Sequence, residues 1–134
     1  MAIQLSTNVR NAMVDTYDTT IGTTARLYLY TGASPPSSCA AADAGTTLAL
    51  LTLPATYVGA GSNGTVSIAN GPWTGTGLAA GTAGHYRIKD SAQTTTHEQG
   101  TIGTGSEDLV LDNAVIATNQ AISITTWTRI VGGA

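Results

Sequence analysis

His85, His97 and Glu98 are the side chains whose types could do the most chemistry. Two imidazoles and a carboxylate can hold a divalent metal, and His97-Glu98 matches the first half of a zinc-binding helix motif. The second histidine of that motif would fall at position 101, where the chain has Thr101, and the surrounding alternation is that of a strand, not a helix. If Asp90 faces Thr94 across a three-residue turn, Arg87 faces His97 and His85 faces Gln99. Both histidines then share one face of a hairpin as solvated or interface side chains, and no metal site is expected. Glu98 falls on the Tyr86/Ile88 face, where a lone carboxylate is costly to bury. A bulge that turns it outward is the first expectation. An ion pair with Arg87 or Lys89 is the second.

Other chemical patterns dissolve on inspection. Gly59-Ala60-Gly61-Ser62-Asn63-Gly64 spells G-x-G-x-x-G, the fingerprint of a dinucleotide-binding turn. That site needs a helix after the glycines and an acid about 20 residues on. Here Thr65 to Ala69 alternates like a strand, and positions 79–83 carry no acid. Asn63-Gly64-Thr65 matches a glycosylation sequon, but Asn-Gly is first a hairpin turn. Cys39, the single cysteine, has no neighbouring cation in sequence to activate its thiol and is read as structural or incidental. Asp15 and Asp18 fall on the exposed side of a helix, and Asp108 and Asp112 flank a strand where acids start and end turns. No nucleophile elbow occurs. No catalytic residue, cofactor-binding residue or metal ligand is assigned, and an enzyme is not expected.

These residues hang on a chain that reads as mainly β. Ser6 to about Ile21 is the helix candidate, with Ser6, Thr7 or Asn8 as its cap and Gly22 as its stop. Val9, Met13 and Tyr17, with Ala12 beside them, form its apolar stripe. Period-two alternation follows. Arg26 to Tyr30 puts Leu27 and Leu29 inward, Leu48 to Leu53 is a mostly buried strand stopped by Pro54, and Thr65 to Ala69 follows the Asn63-Gly64 turn. Thr74 to Gly84 is ambiguous. His85 to Lys89 and Thr94 to Ile102 form a hairpin, Asp108 to Asp112 is a short strand, and Ala121 to Val131 alternates to the end. Between the first two strands, Gly32 to Thr47 is a long loop with Pro35-Pro36, and loops of that length often make contacts. Seven or eight strands at a pitch of roughly 8–12 residues is the rhythm of a sandwich or barrel. One domain over 1–134 is expected: an extended arm over 1–5, the helix over about 6–21, and a β-sandwich over about 26–131.

Composition narrows the function. The 134 residues hold 5 Lys+Arg and 8 Asp+Glu, a net charge of −3, with 16 Gly, 24 Thr and no Phe. Charged residues make up 10%, against about 25% in ordinary domains. The few cations are scattered, so the clustered charge that displaces counterions from phosphates is missing and nucleic-acid binding is not expected. No secretory pattern is read in Met1 to Asn8, and no apolar run reaches membrane-spanning length. A surface of small, uncharged side chains suits close contact with other proteins. Ile3 and Leu5 make an apolar arm, and Ile130-Val131 leads into Gly132-Gly133-Ala134. Both ends are candidates to lie on a neighbouring molecule or, equally, to close the domain's own sheet.

Several segments, in order, resemble a family of small structural proteins of tailed bacteriophages. They are Leu29-Tyr30-Thr31-Gly32 with Pro35-Pro36, Ala41 to Thr46, and Leu48-Ala49 with Leu51 to Pro54. Ala80 to Ile88, Leu111-Asp112-Asn113 with Ile116-Ala117, and Ile122 to Thr126 complete the series. The similarity covers most of the chain and rests on the order of the pieces. It implies a jelly-roll-like β-sandwich on the outer surface of a virion, made in the bacterial host cytoplasm. Such a head decoration or cement protein clamps the major capsid protein as a homodimer or homotrimer, with no membrane and no nucleic acid as partner. The expected contact residues are Ile3 and Leu5 of the arm, Pro35 and Pro36 of the loop, and Ile130 and Val131 near the end. Glu98 stands where the resemblance leads one to expect an apolar residue. Two other readings are a tail or neck component of the same virion, and a carbohydrate-binding module stacking sugars on Trp73, Trp127 or Tyr57.

Overall fold

The computed structural model describes residues 3–131. The N-terminal helix is short. Ser6 caps α1 (Thr7–Val14), its hydroxyl accepting from the Val9 amide, and after Asp15 the chain makes a further helical turn, α2 (Thr16–Thr19). The expected single helix to Ile21 breaks because its threonines compete for its carbonyls. The Thr16 hydroxyl donates to Met13 O at 2.6 Å, and Thr19 reaches Asp15 O. Its buried face also differs from the expected stripe. Arg10 and Val14 face inward, whereas Val9, Ala12 and Met13 are exposed.

Ten strands follow among the described residues: β1 (Arg26–Thr31), β2 (Thr47–Thr52), β3 (Thr65–Ser67), β4 (Trp73–Gly77), β5 (Gly81–Lys89), β6 (Thr96–Gly103), β7 (Leu109–Val110), β8 (Val115–Ile116), β9 (Ala121–Ile124) and β10 (Thr128–Ile130). The ambiguous stretch supplies β4, β8 was not anticipated, and the last alternating run divides in two at Thr125 to Trp127. The main sheet runs β7-β6-β5-β1-β2-β4-β9, with β8 joined to the start of β5. Its pairs are antiparallel except β6 with β7. β10 and β3 form a separate two-stranded ribbon. The protein is thus mainly β, with a nearly closed sheet and a short helical N-terminal segment.

Alternation in β1 and β5 sets the two faces of this sheet. Leu27 and Leu29 pair with Ile88 and Tyr86, and all four are fully buried on the inner face. That face packs against α1, the ribbon and an aromatic row, Tyr57–Trp73–Trp127–Tyr17, with ring centroids 6.1, 5.4 and 5.1 Å apart. Tyr28, Tyr30, His85 and Arg87 lie on the outer face. The loop over 32–46 covers part of it, so His85 and Arg87 are also buried.

The glycine loop serves this packing. Asn63 and Gly64 both have positive φ, 51° and 73°, and form the tight turn closed by the Ser62–Thr65 pair. The loop seats α1. The Gly61 amide donates to Asp15 Oδ1 at 2.6 Å, the Gly64 amide donates to Asn11 Oδ1 at 2.8 Å, and Arg10 Nη1 donates to Asn63 O at 3.0 Å. Asp15 therefore is not a solvated helix charge; its carboxylate accepts from the glycine loop. A Cβ on Gly61 would lie 2.6 Å from Val14 Cγ2, so the glycine permits the helix to approach.

Candidate functional site

Two polar clusters lie back to back on the β5–β6 hairpin. The inner one is centred on Glu98. The hairpin register is Ile88 opposite Glu98, Arg87 opposite Gln99 and His85 opposite Thr101, two residues away from the expected pairing. One residue of the shift lies in the turn, where the Asp90 amide donates to Thr95 O and Lys89 pairs with Thr96, and the other is a bulge between Ile88 and Lys89. The extra residue is therefore His97, and Glu98 stays on the inner face instead of turning out. Its partner is neither Arg87 nor Lys89. Arg129 of β10 meets it with two donors, Nε to Oε1 and Nη2 to Oε2, both at 2.7 Å. The hydroxyl of Tyr17 donates to Oε1, and that of Tyr86 donates to Oε2 at 2.6 Å.

This network shifts its members in a consistent direction. Burial first, then the Glu98 charge, push the hydroxyls of Tyr17 and Tyr86 far above the ordinary phenol range. Burial works against the Arg129 cation, but the hydrogen bonds and charge of Glu98 outweigh it and hold the guanidinium protonated. Arg129 also lies over the Trp127 ring, 4.6 Å from its centroid. Both carboxylate oxygens each accept two hydrogen bonds, which leaves Glu98 no lone pair for proton transfer.

The outer cluster is built on Arg87, which is 1% exposed. Its Nε donates to Gln99 Oε1 at 3.1 Å, Nη1 to Asp43 Oδ1 at 2.5 Å, and Nη2 to the carbonyls of Ser38 and Cys39, each at 3.0 Å. Lys89 Nζ donates to the other Asp43 oxygen at 2.7 Å and lies 4.9 Å from the Tyr28 ring centroid. Burial opposes the Asp43 charge, yet hydrogen bonds from Lys89 and Arg87 prevail and hold the carboxyl below its usual range. His85 is also 1% exposed and stacks on Tyr30 with centroids 5.1 Å apart. The two histidines are thus on different sides of the hairpin. His97, half-buried, lines a cavity of about 330 Å³ with Thr16, Tyr17, Thr20 and Ile21, while His85 lies under the loop and is not a solvated side chain. Among the described residues no group of three His, Cys, Asp or Glu side chains could hold a metal.

The six expected contact residues do not converge on one surface. Ile3 is 82% exposed and Leu5 half-buried, ahead of α1. Pro35 and Pro36 are half-buried on the outer face, and the Pro36 carbonyl accepts from Gln99 Nε2 at 2.6 Å. Ile130 is 71% exposed on the ribbon, opposite Thr65, while Val131 packs against the core and donates its amide to Gly64 O. This part of the C-terminal segment therefore pairs with its own chain. Met1, Ala2 and Gly132-Gly133-Ala134 lie outside the described residues. Trp73, Trp127 and Tyr57 are all buried in the core, so none offers a sugar-stacking platform. No helix among the described residues is long and apolar enough to cross a membrane.

The Glu98–Arg129 and Asp43–Arg87 pairs escaped sequence reasoning because each joins strands or loops far apart in the chain. A signal for the first did exist. Arg129 shares a face with buried Trp127 and half-buried Val131, as Glu98 does with Gly100 and Ile102, so two opposite charges face inward and need one another. Comparison with protein-family models, curated proteins and solved structures found no match to this chain.

Proposed function

We propose that this chain is a structural component of a tailed-bacteriophage virion: a non-enzymatic decoration or cement protein bound to the outer capsid surface, where it bridges major capsid subunits. The observation that carries the reading is how the surface is partitioned. Arg10, Arg87, Lys89 and Arg129 are committed to internal contacts, while Ile3, Val9, Met13, Leu78, Val115 and Ile130 stand exposed. Docking through these apolar side chains, rather than through the exposed Asp18, Glu107, Asp108 and Asp112, requires little desolvation of charge. The ordered resemblance along the sequence supplies the class of partner.

The mechanism is weak contact multiplied. A capsid repeats each site many times, and a homodimer or homotrimer that holds one subunit meets the next at high effective concentration. A hydrogen-bonded sheet loses little entropy on docking. The contact residues in this reading are Ile3 and Leu5, Pro35 and Pro36, and Ile130 and Val131. The ribbon of β3 and β10 facing the main sheet is read as the reduced second layer of a jelly-roll-like sandwich.

Cryo-electron microscopy of the virion that encodes this chain tests the reading. The expected result is density of this size at regular positions over the head. Density confined to the neck or tail would replace decoration by a tail or neck role, and absence from the particle would overturn both.

A further inference from the structure

The segment from Gly32 to Thr46 crosses the outer face of β1, β5 and β6 as a strap. None of its side chains is fully buried, and a cavity of about 510 Å³ remains between residues 39–43, Arg87, Lys89 and residues 94–96. Apolar packing therefore does not hold it down. Polar fastenings from the sheet do. His85 Nδ1 donates to Gly32 O at 2.9 Å, Gln99 Nε2 to Pro36 O, Arg87 Nη2 to Ser38 O and Cys39 O, and Arg87 and Lys89 both bind Asp43. The ends are closed by Thr31 and Thr46, whose backbones and Thr31 hydroxyl bond one another. Beneath lie Tyr30, His85 and Arg87, all buried.

One fastening depends on a proton. The Gly32 carbonyl only accepts, so Nδ1 carries the hydrogen and the neutral ring leaves Nε2 bare. Nε2 is buried with no partner. A proton added there makes a covered cation with nothing to receive its hydrogen. Its surroundings offer no rescue. Tyr30 of β1 stacks on the ring, Arg87 of β5 is two residues along the same face, and Thr101 and Gln99 of β6 are uncharged. From the strap comes Asp43, already shared by Arg87 and Lys89. Near the β6–β7 turn, Asp108 is engaged by Thr101 and Glu107 by the Gly105 amide. Among the described residues no carboxylate forms an ion pair with His85.

We infer that the strap is an acid-released cover, closed while His85 is neutral and opened by its protonation, which bares the Tyr30–His85–Arg87 face. The inference stands apart from the virion reading and survives its failure. The direction follows from linkage: the open form binds one more proton, so falling pH favours it. Asp43 works lower. Its carboxyl is held below its ordinary 3.8, so its grip is present above that range and is lost as pH falls through the depressed value.

Cys39, the single cysteine, lies half-buried in the strap and reports its opening. We would measure its rate of thiol labelling from about pH 7.5 to 5.5, normalised at each pH to the denatured chain, with tryptophan emission monitoring the core. The expected result is normalised labelling that rises toward acid, by up to about tenfold per pH unit for one proton, at constant emission. In His85→Asn, whose amide nitrogen stands at the Nδ1 position and can donate to Gly32 O but takes up no proton, the profile should be flat. A flat wild-type profile, or an unchanged slope in His85→Asn, overturns the inference. If that variant fails to fold, the wild type decides: labelling must track the His85 ring signal in an NMR titration, and a profile that does not track it overturns the inference equally.

Discussion

Glu98 is the residue on which most internal polarity depends. It binds Arg129, Tyr17 and Tyr86 at once, joining α2, β5, β6 and β10 through one carboxylate. Removing one member of a buried ion pair strands the other, a loss of about 3–5 kcal/mol when burial is complete. Both side chains here keep some exposure, 14% and 20%, so Glu98→Leu should cost about 2–3 kcal/mol in a denaturant titration. Glu98→Leu with Arg129→Leu should cost less than the sum of the singles, because no charge is then stranded. A single-variant loss under about 1 kcal/mol would mean that the network adds nothing net. The tyrosines extend the argument to alkaline pH. Burial raises all five above their ordinary 10.0, with the Glu98 charge adding to Tyr17, Tyr57 and Tyr86. A group whose folded pKa is raised contributes stability that is complete below the unfolded value and declines as pH climbs toward the folded one. Stability should therefore fall from about pH 10 upward, with tyrosinate absorbance appearing together with the loss of native circular dichroism. Ionisation of most tyrosines near pH 10 with the fold intact would contradict it.

At the scale of elements, the seat of α1 is the sharpest test. Gly61 faces Val14, Asn11 O and Asp15 at distances a Cβ cannot tolerate, whereas Gly59 has ordinary φ and nothing closer than 4.0 Å. Gly61→Ala should lower stability by about 1–3 kcal/mol and loosen α1 in hydrogen exchange, while Gly59→Ala stays within about 0.5 kcal/mol. Equal effects would show that the helix does not rest on this loop. The same elements show what could be read in the sequence. Strands announced themselves where alternation was clean, as in Arg26 to Tyr30, and the Asn63-Gly64 turn carried its own backbone preference. The helix was found, but its inward face was misjudged. Periodicity selected Val9, Met13 and Tyr17; Tyr17 does pack inward, but tertiary structure leaves Val9 and Met13 exposed and buries Arg10 and Val14, because Arg10 reaches Asn63 and Asn11 and Asp15 hold the loop amides. Hydropathy cannot show that polar side chains anchor a helix. The hairpin register failed for a related reason. A turn one residue longer than expected and a one-residue bulge at His97 together move every cross-strand neighbour by two, and only Glu98's need for Arg129 would have revealed it.

The molecule ties its cations down, leaves several carboxylates exposed and turns several large apolar side chains outward, and that arrangement makes fold and docking separable. Sheet order was not legible, since β4 and β9 meet across 43 residues of intervening chain and β10 leaves the main sheet to pair with β3. Nor could alternation say which apolar residues the finished fold would leave uncovered. Ile3 and Ile130 are the clearest of these, one ahead of α1 and one on the ribbon. Neither belongs to the core cluster, so replacing both by Asp should change stability by no more than about 0.5 kcal/mol each, measured by thermal melting. If the protein clamps capsids, the same double variant should bind purified heads at least about tenfold more weakly, since each aspartate must be desolvated where an isoleucine was favourably buried. The comparison has to be made per protomer and per assembled oligomer, because avidity on a repeating lattice can mask a weakened site. Unchanged binding by a folded double variant would remove the arm and the ribbon from the interface and leave Pro35 and Pro36 on the strap as the remaining contact. A variant that loses stability as well would instead show that these two isoleucines are buried in a self-association that the fold depends on.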